Sequence, residues 1–527
     1  MKAVAADPFC AMAHWAIAYS LSSSYNWAPG LGCGYDSIQA AIGLKSNCND
    51  LEKDLIDALA ARSSKDARDG ADPTVLNFGN PPELNVAFAA EMAKLAAKYP
   101  KDLDVQAIYC EGVMNIKPWA LWDRKVAKGT LTITPADENT LLVKKCIEAA
   151  FKLPGGTKHP ALCHLYCHLM ELSPTPADAL PAANTLRTLM PAMGHLVHMP
   201  SHIDAWVGGY EEGIACNEAG TAADDRYVEI SGNESQFYKF YRMHNQHFVV
   251  WMSMQDAQYG NSMKYARKME AQLTQKHVTF MLAGIIPMGA VFLEAFATMP
   301  WHVMIRFGKW DDILAEPVQS STHVYPGCIA TAHYARGIAY ASKGMLPQAK
   351  AEQAEFLKAC QNPALAGRVL HNNPMWTAEG PCVLKIAEKM LEGEIAYREA
   401  VLKPGPQVDA FTVAFDLLRE AVALSEALKY DEPWGWMVPV RHALGALMLE
   451  QGRYDESEAV YRDDVALWKD NVWGLLGLTQ VSEKRGKPLA DIKEITAKFK
   501  KASRRADVKL TATCFCAQSA GAACCAP

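Results

Sequence analysis

The chain has 527 residues, of which half are hydrophobic and 21% are charged, with a formal net charge of −6. This length exceeds what a single hydrophobic core serves, so we expect several domains or an elongated array of repeats. The mildly negative charge and the lack of any long basic run exclude extensive phosphate contacts, and we expect no nucleic-acid partner.

The beginning of the chain carries no secretory signal. Residues 1–8 lack an apolar stretch and are similar to the closing turn of a repeat whose earlier helices are missing, so we expect this start to be internal to a longer gene product. A targeting peptide is then not observable. No window approaches the roughly 20 uncharged apolar residues that span a bilayer. We therefore expect a soluble protein of the cytoplasm or another soluble compartment.

Internal repeats give the strongest indication of the fold. Windows 196–227, 332–363 and 440–471 align without gaps on a glycine anchor, and each is close to the roughly 34 residues of a tetratricopeptide repeat. Gly344 and Gly452 fall between two helical patterns, where a left-handed turn reverses the chain. The sequence predicts an all-α solenoid of antiparallel helix pairs stacked in a superhelix.

Strand and loop signals divide the chain further. Leu131-Thr132-Ile133-Thr134 is the best strand candidate and is too short to build a sheet. Stretches rich in Pro and Gly predict loops at 69–82, 127–135, 153–160 and 403–407. We expect N-terminal repeats over 1–158, a histidine-rich segment over 159–260, further repeats over 261–500 and a flexible, cysteine-containing tail over 501–527.

Eight of the fifteen histidines lie between His159 and His247, about three times the density of a uniform scatter. His164 and His168 are one helical turn apart, and Glu171 follows on the same face. Two imidazoles one turn apart can bind one ion, as in H-E-x-x-H sites, although the glutamate inside that motif is absent here. We expect Glu171 to be a ligand or an acid/base group.

Two later groups repeat this spacing. His198 and His202 lie one turn apart at the start of the first aligned window, directly after His195, and Pro200 is tolerable there in the first turn of a helix. His244 and His247 fall in an aromatic-rich helix. Three helices that offer imidazole pairs to one groove predict a mono- or dinuclear site for Zn, Fe, Cu or Mn. In particular, we expect His164, His168, His198 and His202 to converge on one point.

A buried histidine is also commonly a hydrogen-bonded packing residue, and a histidine-lined ligand pocket would use the same pattern. The tryptophans Trp434, Trp436, Trp468 and Trp473 have repeat-like spacing, which favours core packing over a cofactor site. Isolated cysteines such as Cys110 and Cys216 indicate reduced, buried thiols. The cysteines of the tail predict a disordered end or, alternatively, a soft-metal or redox-active segment: Cys514, Cys516, Cys524 and Cys525.

The run Gly194-His195-Leu196-Val197-His198-Met199-Pro200-Ser201-His202, with segments 159–164 and 168–171, resembles a group of bacterial tetratricopeptide-repeat proteins that share G-H-x-x-H-M-P-S-H. Segments 306–311 and 333–337 resemble later parts of that group. The resemblance implies a tetratricopeptide-like fold and no particular reaction. Asp204-Ala205-Trp206 and the cysteine tail depart from the pattern.

Two functions follow from these features. The first is a metal-dependent enzyme, hydrolytic or oxidative, that acts on a small-molecule substrate through the histidine-rich site. The second is a non-catalytic adaptor that binds a peptide or protein partner on its concave face. The histidines favour the enzyme, because a peptide groove gains nothing from six imidazoles concentrated in three helices.

Overall fold

The computed structural model describes residues 2–26, 34–65, 82–127, 130–232, 236–281, 287–403 and 410–517. These residues form two compact units that meet in sequence at Met190 and Pro191. That boundary lies within the predicted histidine-rich segment 159–260. Each unit is described by itself.

The first unit consists of helices and one β-hairpin. Its core contains Ile56, Leu59, Phe88 and Met92, all buried on the inner faces of successive helices. The helices are α1 Lys2–Ala6, α2 Ala11–Leu21, α3 Tyr35–Gly43, α4 Asp50–Ala60, α5 Pro82–Lys98, α6 Leu103–Met114, α7 Glu138–Ala150, α8 Pro160–Met170 and α9 Leu180–Leu189.

The hairpin corrects one loop prediction. Strands β1 Trp122–Ala127 and β2 Thr130–Pro135 pair antiparallel, with Trp122 opposite Pro135. The predicted strand 131–134 is real, but the predicted loop 127–135 is wrong, because the preceding residues supply a partner strand. The partner strand was not predicted because polar residues such as Asp123 and Arg124 interrupt the alternation of apolar and polar residues that is typical of a strand. The predicted loop 69–82 lies almost entirely outside the described residues.

The second unit is a longer series of helix pairs. Two short strands, β3 Val369–Leu370 and β4 Asn373–Pro374, form its only sheet within the described ranges. The helices are α10 Gly194–His198, α11 Pro200–Val207, α12 Tyr210–Ser231, α13 Gln236–Gln255, α14 Tyr259–Gln272, α15 Gln275–Val278, α16 Met288–Phe292, α17 Met299–Arg306, α18 Trp310–Ala315, α19 Pro326–Ser342, α20 Leu346–Cys360, α21 Val383–Leu402, α22 Thr412–Glu426, α23 Val440–Glu450, α24 Tyr454–Leu467, α25 Val472–Lys484 and α26 Leu489–Ala502.

The glycine-anchored pairs are confirmed. Gly344 connects α19 to α20 and Gly452 connects α23 to α24, with φ of +74° and +72°. A residue with a Cβ is strained at such angles, so glycine lets the second helix fold back. Gly208, with φ of +82°, ends α11 before α12 in the same way. The described chain is thus an all-α protein of tetratricopeptide-like helix pairs.

The break between α10 and α11 positions the histidines. Met199 keeps helical angles, and Pro200 occupies the first turn of α11, where its missing N–H costs nothing. His198 therefore ends one short helix and His202 lies in the first turn of the next. Both side chains are almost fully buried.

The core of the second unit contains the four repeat-spaced tryptophans, so core packing is confirmed for Trp434, Trp436, Trp468 and Trp473.

After α26, residues 506–517 contain no long helix and pack against this core. Arg306 donates to the carbonyl of Thr513, and Gln480 to that of Thr511 at 2.8 Å. Cys514 and Cys516 form a disulfide, whereas Cys524 and Cys525 lie outside the described residues. Every described helix is too short or too polar to cross a membrane.

Candidate metal centre

Three histidines of the second unit gather around one point. The ring centroids of His198 and His202 lie 4.7 Å apart, and that of His244, from α13, lies 4.7 Å from His198 and 5.7 Å from His202. Each ring offers one nitrogen to a set whose members lie within 4.8 Å of one another. The predicted helix-face pair His198 and His202 and the later His244 are therefore brought together.

The tautomer of His198 follows from its neighbour Asn217. The Asn217 amide nitrogen donates to the carbonyl of Gly213 at 2.7 Å, which fixes the orientation of the amide. The amide oxygen then faces His198 Nδ1 at 2.6 Å. An amide oxygen only accepts, so His198 Nδ1 carries the hydrogen and donates it.

A carboxylate fixes His202 in the same way. Glu432 Oε2 lies 2.9 Å from His202 Nδ1, and both side chains are buried. Tyr430 donates its hydroxyl to the other oxygen of Glu432. The carboxylate accepts the Nδ1 hydrogen of His202 and raises the basicity of the ring, an arrangement found around metal-binding histidines.

Two nitrogens are left facing each other. His198 Nε2 and His202 Nε2 are 2.7 Å apart. Because both Nδ1 atoms donate, neutral rings would place two lone pairs against each other. This contact is therefore satisfied either by a proton that one Nε2 donates to the other or by a cation bound between them. A metal ion about 2.0–2.1 Å from each nitrogen would part them to about 3.3 Å in tetrahedral geometry, so the rings need to move by only about half an ångström.

His244 is held uncharged by its surroundings. Burial, followed by the neighbouring His198 and His371, lowers the pKa of His244 well below its usual value. The ring of Phe248 packs 5.2 Å from that of His244 and 5.0 Å from those of His198 and His202. Neutral imidazoles beside an apolar wall are the ligand form that zinc, iron, copper and manganese ions bind.

Two other predicted ligands lie at the margin of this cluster. The His195 ring is 5.9 Å from that of His198 and 5.2 Å from that of Tyr241. His247, one turn after His244, points its Nε2 at the sulfur of Met437 at 2.9 Å. Both therefore remain near the three central histidines without belonging to the same convergent set.

The remaining predicted residues belong to the first unit. The rings of His164 and His168 lie 4.8 Å apart, and His168 Nδ1 lies 3.1 Å from Glu171 Oε1. His164 Nε2 contacts the Asn26 amide at 3.0 Å. Glu171 is thus a hydrogen-bonding neighbour of a histidine ring. The convergence of these residues with His198 and His202 on one ion stays a prediction.

Sequence reasoning missed the partners that orient the rings. Asn217 is one polar residue within the long helix α12, and Glu432 follows α22 in a segment without regular structure. His371 was also missed, although its ring lies 5.2 Å from that of His244. The adjacent acidic residues Asp431 and Glu432 could have indicated partners for histidines. Their distance in sequence from the histidine run follows no helical or strand period, so the sequence did not connect them with it.

Comparisons with known proteins add little. No family model matches the chain, and no curated protein matches it. Among solved structures, the chain is similar to the human IFIT1 dimer with m7Gppp-AAAA at 10% identity, over 90% of this chain and 86% of that one, with a TM-score of 0.29. A similarity at this TM-score carries no argument about fold or ligand. The resemblance to bacterial tetratricopeptide-repeat proteins stays a prediction.

Proposed function

We propose that the second unit binds one divalent transition-metal ion through His198, His202 and His244 and that the protein is a metal-dependent enzyme. The observation that carries this proposal is the 2.7 Å approach of two Nε2 atoms whose Nδ1 atoms both face acceptors. A cation between them removes the repulsion and uses both lone pairs.

The ligand set favours catalysis over a purely structural role. Three protein ligands leave a coordination position for water or substrate, whereas structural zinc sites are closed by four. His198, His202 and His244 would hold the ion as neutral imidazoles, and the chemistry supplied there would be activation of water near neutral pH. Water activation for hydrolysis of a small-molecule substrate is therefore the reaction we favour. A redox metal in the same ligands would support oxidation instead.

The first experiment is elemental analysis of the full chain purified without an affinity tag and then supplied with Zn, Fe, Cu or Mn. We expect one ion to be lost in the double variant His198→Ala/His202→Ala, with helicity retained in circular dichroism. His323→Ala is the matched control, because His323 is an exposed histidine of the same unit. Full retention of metal by the double variant would exclude this site. A wild type that takes up no metal would leave a shared proton as the explanation of the short contact.

One observation favours the adaptor as a second candidate function. The helices of the second unit hold the irregular segment 506–517 through its backbone: Arg306 contacts the carbonyl of Thr513, and Arg398 that of Cys516. A helical array that binds its own segment in this way can bind a partner's segment. A labelled peptide of residues 507–517 should then bind a chain that ends at residue 506 and should not bind the full chain.

A further inference from the structure

A second set of histidine nitrogens lies beside the proposed centre. His371 Nε2, His247 Nδ1 and His244 Nδ1 are all buried and have no hydrogen-bond partner among the described residues. Buried polar atoms of this kind are uncommon, and a bound ion is one of the conditions that explains them. The ring centroids of His244 and His247 lie 5.2 Å and 5.1 Å from that of His371.

The tautomer of His371 is fixed by a carboxylate. Asp431 Oδ1 lies 2.9 Å from His371 Nδ1, and both side chains are buried. Asn373 donates its amide to the other oxygen of Asp431 at 3.0 Å, which orients the carboxylate. His371 Nδ1 therefore donates, and its Nε2 keeps a lone pair. Asp431 does for His371 what the next residue, Glu432, does for His202.

The tautomer of His247 is fixed by a thioether. Met437 Sδ lies 2.9 Å from His247 Nε2, and a thioether sulfur accepts hydrogen bonds but cannot donate them. The hydrogen is therefore on Nε2, and the lone pair is on the buried Nδ1. Both His247 and His371 thus present an unused lone pair, and the ring of His244 lies next to His371 and next to His198.

The backbone at His371 has an uncommon conformation. His371 has φ of +50° and lies in the turn between β3 and β4. Residues with a Cβ seldom adopt this left-handed region, and histidine, asparagine and aspartate adopt it more often than the others. In this turn the ring of His371 lies next to those of His244 and His247.

We propose that His371 Nε2 and His247 Nδ1 would hold a second divalent transition-metal ion beside the proposed centre of His198, His202 and His244. The proposal rests on the proposed function, because it extends the same centre from one ion to two. Asp431 then orients His371, a ligand of the second ion, and Glu432 orients His202, a ligand of the first. Two neighbouring ions can stabilise both the attacking and the leaving oxygen of a hydrolysed substrate.

The test is Zn²⁺ stoichiometry of the metal-free full chain, measured by calorimetric titration and by elemental analysis after gel filtration. Replacing His371 by Asn removes the imidazole and retains a residue that tolerates positive φ. We expect His371→Asn to bind one ion fewer than the wild type, with the affinity of the remaining ion changed by less than about threefold. His323→Asn is the matched control and should bind as the wild type does.

A spectroscopic arm checks that the two ions are neighbours. Wild type loaded with Cu²⁺ should give a broadened, spin-coupled electron paramagnetic resonance signal, and His371→Asn should give the signal of isolated copper. His371→Gly, which also accommodates the turn, replaces the Asn variant if that variant does not fold. If the folded His371 variant binds as many metal ions as the wild type, the proposal of a second ion is wrong. Unchanged stoichiometry in His198→Ala/His202→Ala overturns the first, so the two failures are distinguishable.

Discussion

His202 and Glu432 are far apart in the sequence, yet Nδ1 of one lies 2.9 Å from a carboxylate oxygen of the other in the buried interior of the second unit. Glu432 belongs to a segment between α22 and α23 that carries no regular structure. This contact decides that Nδ1 of His202 donates a hydrogen bond, so Nε2 is the nitrogen that faces His198.

Glu432→Gln should weaken metal binding. The amide keeps the size of the side chain but removes the negative charge that raises the basicity of His202, so we expect metal affinity to fall by about 10- to 100-fold. Competition with a chromogenic chelator measures the change. Glu426→Gln is the control, because Glu426 pairs with Arg441 and lies in the same unit. Equal affinities in the two variants would contradict the role of Glu432.

Two glycines enclose the ring of Tyr461. A Cβ built on Gly477 would lie 2.3 Å from Tyr461 Cζ, and one built on Gly445 would lie 2.6 Å from the same atom. Gly477→Ala should therefore lower the free energy of unfolding by about 1–3 kcal/mol through overpacking. Gly43→Ala is the contrast: it ends α3 with no atom within 4 Å of its Cβ, and it should raise stability by about 0.5–1 kcal/mol. Urea unfolding followed by circular dichroism distinguishes the two signs.

Asp224 should make stability depend on pH. Burial raises its pKa to about 6, although hydrogen bonds from Tyr238 and Asn245 act in the opposite direction. The folded state therefore binds this proton more tightly than the unfolded chain. The stabilisation is fully present below about pH 4 and is lost as the pH rises through about 6, by roughly 2–3 kcal/mol.

Asp224→Asn removes this titration. Between pH 4.5 and pH 7, we expect the free energy of unfolding to fall further in the wild type than in the variant. This comparison does not depend on how the two proteins differ in stability at a single pH. Urea unfolding midpoints at both values give the comparison. Parallel changes in the two proteins would show that Asp224 titrates at its ordinary pKa.

A buried ion pair anchors the hairpin that carries His371. Arg368 Nη1 lies 2.7 Å from Glu294 Oε2, and the same guanidinium donates to the carbonyls of Val324 and His323. Arg368→Met leaves Glu294 buried without its cation, so we expect a loss of about 3–5 kcal/mol in the free energy of unfolding. Adding Glu294→Gln should recover part of that loss, since the uncompensated charge is then gone. Thermal unfolding of the single and double variants tests this, and equal stability of the two would refute the charge argument.

The helix pairs were predictable because their signals are local. Gly344 and Gly452 mark turns by a property of one residue, its freedom to adopt positive φ. His198 and His202 were predictable as a pair because helical geometry places residues four apart on one face. The second strand of the hairpin at 122–135 was predicted, but its first strand was not, since that strand is polar and gains its structure from pairing with the second.

The chemistry of the site depends on contacts that the sequence does not encode locally. Asn217, Glu432 and Asp431 each decide which nitrogen of a histidine donates, and each comes from a part of the second unit distant from that histidine in the chain. The sequence by itself determined that imidazoles would be concentrated on a few helices. Only tertiary packing decided which ring nitrogens face one another, because that depends on the approach of distant segments and on the acceptors that they bring to each ring.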